Sequence, residues 1–231
     1  MGFVMTDVHA AMQALMSASR IKADSAAGRP VRPVVTISRE HGALGRQVAE
    51  ALSAHLQVPL YDRALIGKIA SRLDVDQETA KMLDESVGRA SDLWLVGLLK
   101  GKDLSKDAWR THLVNIFLGL SRVGGVILGR GAHLVLEDSC ALRLKLVAPR
   151  AVRIKRIAER NAVSEAIADQ QVLQADTARL CFLKDMFGAR SDDPAAFDLV
   201  LNTARLDDVD TIVRLLATAY EGIARCHQMQ G

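Results

Sequence analysis

The stretch from Val34 to Gln47 constrains this chain more than any other. Val34-Val35-Thr36-Ile37 is short, β-branched and almost wholly apolar, which is the composition of a parallel strand buried on both faces. It runs directly into Ser38-Arg39-Glu40-His41-Gly42-Ala43-Leu44-Gly45. A helix pattern follows at once, with Val48, Ala49, Leu52 and Leu56 on one face. A strand, a glycine-containing turn and a helix in direct succession make an anion site. The first amides of the helix have no partner within it, and its dipole favours negative charge there. Glycines let the backbone curl around phosphate oxygens. Arg46 stands in the first helical turn, where a cation completes the cradle. The plainer reading of the same residues is an ordinary turn between strand and helix with a glycine at its bend.

The remaining chain repeats the strand–helix alternation. Pro59 ends the first helix and Leu60-Tyr61 begins another extended piece. Residues 63 to 120 read as mostly helical, with breaks at Gly88 and near Gly101. Gly125 to Gly129, Leu142 to Val147 and Phe197 to Asn202 read as further strands. Residues 150 to 186 read as helical, and Asp207 to Cys226 as the closing helix. Alternating strands and helices predict a mostly parallel sheet with helices on both faces. Ahead of this, Val4, Val8, Met12, Leu15 and Met16 recur at helical spacing, and Asp24 to Pro33 reads as a linker. Residues 1–32 are therefore expected to be a helical extension, and 33–226 the main domain. The extension could dock on that domain or on a second subunit, so a homodimer is carried as an expectation.

Charge narrows the partner. The net charge of +3 is too small to argue for nucleic acid. The stretch Arg143 to Arg160 nevertheless holds seven basic residues against the single acid Glu159. Beside a phosphate loop that points to a phosphorylated ligand; alone it would be a solvated helix face. The three cysteines, Cys140, Cys181 and Cys226, have no zinc spacing, and their sparse, odd number fits a reducing cytoplasm. No apolar run reaches membrane-spanning length and no secretory signal opens the chain, so no membrane partner is expected.

Registered on Gly45, the loop reads Glu40-His41-Gly42-Ala43-Leu44-Gly45-Arg46-Gln47 against the P-loop pattern G-x-x-x-x-G-K-[ST], so the second glycine and a basic residue match. The longer series is more telling. Ile37-Ser38-Arg39-Glu40-His41-Gly42 with Gly45-Arg46, Tyr61-Asp62-Arg63, Val126-Ile127-Leu128-Gly129-Arg130-Gly131, the run Leu144 to Arg160, the Asp176/Arg179 region and Phe197 to Thr203 together resemble the cytidylate kinase-like family of P-loop kinases. The resemblance covers roughly residues 33 to 220. It implies an α/β P-loop nucleoside-triphosphate hydrolase fold: a parallel sheet flanked by helices, with a helical acceptor-binding insert and a mobile lid. It further implies ATP-dependent phosphoryl transfer to a nucleoside monophosphate or related small acceptor, with Mg2+. The family often carries Arg in place of the P-loop lysine. In this chain Ala43 and Leu44 replace the small residues usual there.

On that resemblance, His41, Gly42, Ala43, Leu44, Gly45, Arg46 and Gln47 would form the ATP site. Arg46 would hold the β- and γ-phosphates, since a guanidinium stays charged and bonds two oxygens in parallel. Gln47 stands where a hydroxyl usually meets magnesium, so the metal would be held by phosphates and water rather than by the protein. Asp62, Arg63, Arg130 and Arg179 would bind the acceptor; Asp62 also reads as a helix N-cap. Family members carry Gly-Arg-Asp where this chain has Gly129-Arg130-Gly131, so the arginine carries over and the carboxylate does not. Arg153, Arg156 and Arg160 share one helix face, and the resemblance makes this the lid, with Arg153 and Arg156 joining Arg46 in catalysis. Trp94 and Trp109 fall in the helical insert and read as packing residues. A non-catalytic nucleotide-binding regulatory module is the alternative from a different class. A dehydrogenase is disfavoured, because the fingerprint G-x-G-x-x-G is absent.

Overall fold

Strand β1 (Val34–Arg39) sits at the centre of a five-stranded sheet because both of its faces are apolar. Val34 faces one cluster of buried side chains, and Val35 and Ile37 face the other. The structure is a computed structural model and describes residues 7–20, 33–75, 104–137, 141–188 and 193–229. The expected breaks at Gly88 and Gly101, the linker up to residue 32, Val4, Trp94 and Cys140 lie outside those residues.

The sheet runs β2-β3-β1-β4-β5, with β2 (Leu60–Tyr61), β3 (Gly125–Leu128), β4 (Leu142–Val147) and β5 (Leu199–Asn202), and every pairing is parallel. Parallel strands need crossovers, and helices supply them on both faces. Helix α2 (Gly45–Leu56) and α8 (Val209–Met229) cover one face, where Val48, Leu52, Ile212 and Leu216 meet Ile37, Leu128 and Leu144. On the other face lie α3 (Arg63–Val75), α4 (Leu104–Val123) and the short α5 (Ala132–Val135), packed around Ile66, Leu113, Phe117 and Ile127. Helices α6 (Arg150–Asn161) and α7 (Glu165–Phe187) form a hairpin beyond β4.

The helical stretch read over 150 to 186 is two helices. Ala162 takes a left-handed conformation at φ 52°, and Ser164 caps α7 by accepting from the Ile167 amide at 3.4 Å. The last strand is shorter than expected. Asp198 precedes it, donating its amide to Arg143 O at 2.9 Å while its carboxylate accepts from the Arg143 amide and guanidinium.

Helix α1 (Val8–Arg20) settles one choice that sequence left open. Ala11 and Leu15 are buried in the same cluster as Ile66 and Phe117, so the extension docks on its own chain. From β1 the chain crosses to β2 on one side of the sheet, and β4 lies on the other side. The crevice where strand order reverses opens at the carboxyl ends of β1, β3 and β4, which is where open α/β sheets bind ligands.

Candidate active site

Three cavities converge on that crevice. The first, about 520 Å3, lies over the loop after β1 and is walled by Arg156, Arg160 and Arg179 from the helical hairpin. The second, about 890 Å3, runs along α3 past Arg63 and Lys68 to Trp109. The third, about 200 Å3, lies between Arg130 and the α7 residues Arg179 and Phe182.

The loop is shaped by backbone that most residues avoid. Gly42 has φ 88°, and Leu44, the N-cap of α2, is left-handed at φ 59°. No side chain caps α2, so its leading amides are left for a ligand. Ala43 is fully buried and points into the core, while Leu44 is partly buried against the same cluster. Glu40, in place of the first P-loop glycine, is a clamp. It accepts from the Ala148 amide at 3.0 Å and pairs with Arg153 at 3.3 Å. Arg46 and Gln47 stand exposed at the mouth. The Arg46 guanidinium reaches back to Glu50 at 2.7 Å; its side chain is 70% exposed, so the pair is a weak tether that a phosphate can replace.

The hairpin is latched onto the loop. Arg153 is buried, and its guanidinium donates to Ala148 O at 2.9 Å, to His41 O at 3.2 Å and to Asp176 at 2.6 Å. Asp176 also accepts from the His41 amide at 2.8 Å and from Arg179 at 2.9 Å. Arg156 donates to Thr203 Oγ1 at 3.0 Å and to Thr203 O at 2.6 Å. Arg153 and Arg156 thus brace the loop, whereas Arg160 stays exposed at the cavity rim.

Across the crevice from the loop, Asp62 accepts from the Leu65 amide at 2.9 Å and caps α3, which presents Arg63 to the cleft. Arg130, at φ 62°, lays its guanidinium 4.7 Å above the Phe182 ring. Its Nε is buried with no partner among the described residues, and burial, then Arg63, lowers its pKa.

Arg39, at the end of β1, is the residue that sequence reasoning gave no role. It lines all three cavities. Burial first, then the neighbouring Arg179 and Arg63, push its pKa down to about 10. Two glycines make room for it: a Cβ on Gly45 would lie 2.5 Å from Arg39 Cγ, and one on Gly129 would collide with Nη1. A charged residue closing an otherwise uncharged, buried strand was the available signal.

His41 is held below its ordinary 6.5 by burial, then by Arg179 and Arg160, against the opposing pull of Asp176. The folded chain therefore takes up this proton later than the unfolded chain as pH falls. Stability is expected to decline as pH drops below about 6.5. Melting curves at pH 7.5 and pH 5.5 should separate less for His41→Gln than for the unaltered chain.

Among the described residues, no group of three His, Cys, Asp or Glu side chains is placed to hold a metal. Beside the loop, the carboxylates of Glu40 and Asp176 are paired with Arg153. No described helix is long and apolar enough to cross a membrane.

Residues 34–205 match the profile of the cytidylate kinase-like family. The chain belongs to the cytidylate kinase-like family. A cytidylate kinase of Sulfolobus acidocaldarius is 30% identical over 186 residues, covering 78% of this chain and 91% of that protein. One of Saccharolobus islandicus is 24% identical over 159 residues, covering 68% and 84%. Among solved structures, an uncharacterized protein from Eubacterium ventriosum superposes with a TM-score of 0.61 at 20% identity, covering 82% of this chain and 99% of its own, which is a likeness of fold. Membership in the cytidylate kinase-like family supports nucleotide phosphoryl transfer in general. The profile begins at residue 34, so α1, whose Val8 lines the 890 Å3 cavity, lies outside the matched region.

Proposed function

We propose that this chain transfers the γ-phosphoryl group of ATP to the phosphate of a nucleoside monophosphate, as its cytidylate kinase relatives are named for, or to a related small phosphorylated acceptor. The observation that carries the reading is the meeting of a loop cleft and an acceptor cleft in one cationic crevice. An acceptor phosphate oxygen attacks the γ-phosphorus, and the bond to the β–γ bridging oxygen breaks as ADP leaves. A dianionic acceptor phosphate has no proton to lose. Such a transfer asks the protein for position and positive charge around a spreading negative charge.

The α2 amides from Gly45 to Gln47, with Arg46, hold the β- and γ-phosphates, and His41, Gly42, Ala43 and Leu44 shape the turn around them. Arg63, Arg130 and Arg179 receive the acceptor phosphate, and Asp62 fixes the helix end that carries Arg63. Arg153 and Arg156 act by holding the carbonyl side of the loop; Arg156 also approaches Gly42 O at 3.5 Å. Magnesium arriving with ATP is held by phosphates and water, because Gln47 offers only an amide oxygen. A cytoplasmic location, where ATP is plentiful, goes with this reading.

The test is a phosphotransfer panel of nucleoside monophosphates with ATP; a blank panel alongside silent ATP calorimetry rejects the reading. Arg46→Ala is expected to raise the KM for ATP about tenfold, near 1.4 kcal/mol, with a smaller effect on kcat. Steady-state kinetics at saturating acceptor measures this.

The reading as a non-catalytic nucleotide-binding regulatory module has its own observation: Arg46, Arg153 and Arg156 are all engaged with protein groups. ATP binding by calorimetry together with a blank panel would select it.

A further inference from the structure

Arg39 stands where the three cavities join, and no element on the donor or acceptor side touches all of them in the same way. It is partly buried, and its guanidinium forms no hydrogen bond or ion pair with any described residue. Its charged neighbours are mostly of its own sign: Arg63, Arg130 and Arg179 against the single carboxylate of Asp62. Placing a guanidinium among three others without a salt-bridge partner is costly unless an anion fills the space between them. The surrounding backbone is built to admit this side chain, because Gly45 and Gly129 are both bare where a Cβ would strike it. Gly45 belongs to the phosphate loop and Gly129 to the acceptor-side turn, so the same side chain threads between the two halves of the site.

We propose that Arg39 is a catalytic residue that contacts the phosphoryl group in transit, bridging the donor loop and the acceptor pocket. This rests on the kinase reading and deepens it. As the acceptor oxygen bonds to the γ-phosphorus and the bond to the bridging oxygen breaks, negative charge spreads over the three equatorial oxygens. A guanidinium fixed between the clefts meets those oxygens with two parallel donors and needs no rearrangement. Arg46 grips the donor and Arg63 and Arg130 grip the acceptor, whereas Arg39 alone of the four reaches the loop cleft and both acceptor-side cavities.

The experiment compares the full chain with Arg39→Met and Arg39→Lys. Three quantities are read: melting temperature without ligand, affinity for inorganic tripolyphosphate by calorimetry, and kinetics on whichever nucleoside monophosphate the unaltered chain phosphorylates. Expected for Arg39→Met are a ligand-free melting temperature equal to or above that of the unaltered chain, tripolyphosphate binding weakened at least tenfold, and kcat lowered about a hundredfold or more, beyond any rise in the KM for ATP, with the acceptor KM changed less than threefold. Arg39→Lys is expected to recover part of kcat. A lower ligand-free melting temperature with kcat and KM failing together would make Arg39 a structural strut and overturn the proposal, as would an unchanged kcat. If no acceptor is phosphorylated by the unaltered chain, the kinase reading fails on its own, and tripolyphosphate then decides whether Arg39 is an anion-binding centre. Equal affinity in the unaltered chain and Arg39→Met, or no binding by either, rejects it.

Discussion

Replacing Gly42 by alanine is expected to cost about 2–5 kcal/mol of stability and to weaken ATP binding more than tenfold. Two costs combine. Gly42 has φ 88°, where an L-residue pays about 1–2 kcal/mol. Its Cβ would also lie 2.8 Å from the carbonyl oxygen and 2.9 Å from the Cβ of Arg153. Those atoms belong to the body of helix α6, where a flexible side-chain end is not available to swing away, and overpacking of this kind costs about 1–3 kcal/mol. Relief can come only by parting the loop from the hairpin. That breaks the bond from Arg153 Nη1 to His41 O and tilts the α2 amides away from the phosphates. Urea unfolding gives the first number and ATP calorimetry the second. Gly222→Ala serves as the contrast, because a Cβ there meets nothing within 4 Å and the residue lies within a helix, so it should be neutral or slightly stabilising. Equal effects from the two substitutions would remove the steric argument.

The sheet was legible because its strands carry local patterns that need no context, apolar runs in β1 and β3 and an alternation of leucine with basic residues in β4. Val34–Ile37, Val126–Leu128 and Leu142–Val147 are strands in the sequence and in the structure. The order of the strands was not legible, since nothing in a buried run says which neighbour it will pair with. The break at Ala162 was hidden for a similar reason. Ala162 is a strong helix former taken into a left-handed turn by the packing of α6 against α7, so tertiary contacts override its propensity. The site divides in the same manner. Gly42, Gly45 and Arg46 fit an anion cradle or an ordinary turn equally well by local pattern, and it is the longer series of motifs that favours the cradle. What Arg153 and Arg156 touch depends on where the hairpin closes, which spacing along a helix does not encode. Arg39 was passed over because its meaning comes from Gly45 and Gly129, one beside it and the other ninety residues further on, both left bare to admit it.

The same dependence on distant partners makes Asp176 the second position where a large effect is expected. Its carboxylate receives three donors: the His41 amide, Arg153 at 2.6 Å and Arg179 at 2.9 Å. Removing one partner of a buried pair typically costs about 3–5 kcal/mol, because the other charge is left unpaired. Two features reduce this for Asp176→Ala. The Asp176 side chain is 24% exposed, and Arg153 keeps Glu40 at 3.3 Å. About 2–3 kcal/mol is the expected loss. Asp176→Asn should lose less, since an amide oxygen still accepts from the His41 amide while the charge is gone. The functional effect reaches beyond stability. Asp176 is the only hairpin carboxylate in contact with Arg179, so without it Arg179 adds its full charge to the cluster around Arg39. Phosphate and other anions should then raise the melting temperature of Asp176→Ala by more than they raise that of the unaltered chain, even as its ligand-free stability falls. Hydrogen exchange at residues 40–44 should quicken in the ligand-free variant and slow again when ATP is added. A variant that is destabilised yet shows unchanged exchange in the loop would mean that the hairpin, and not the latch on His41, had been damaged.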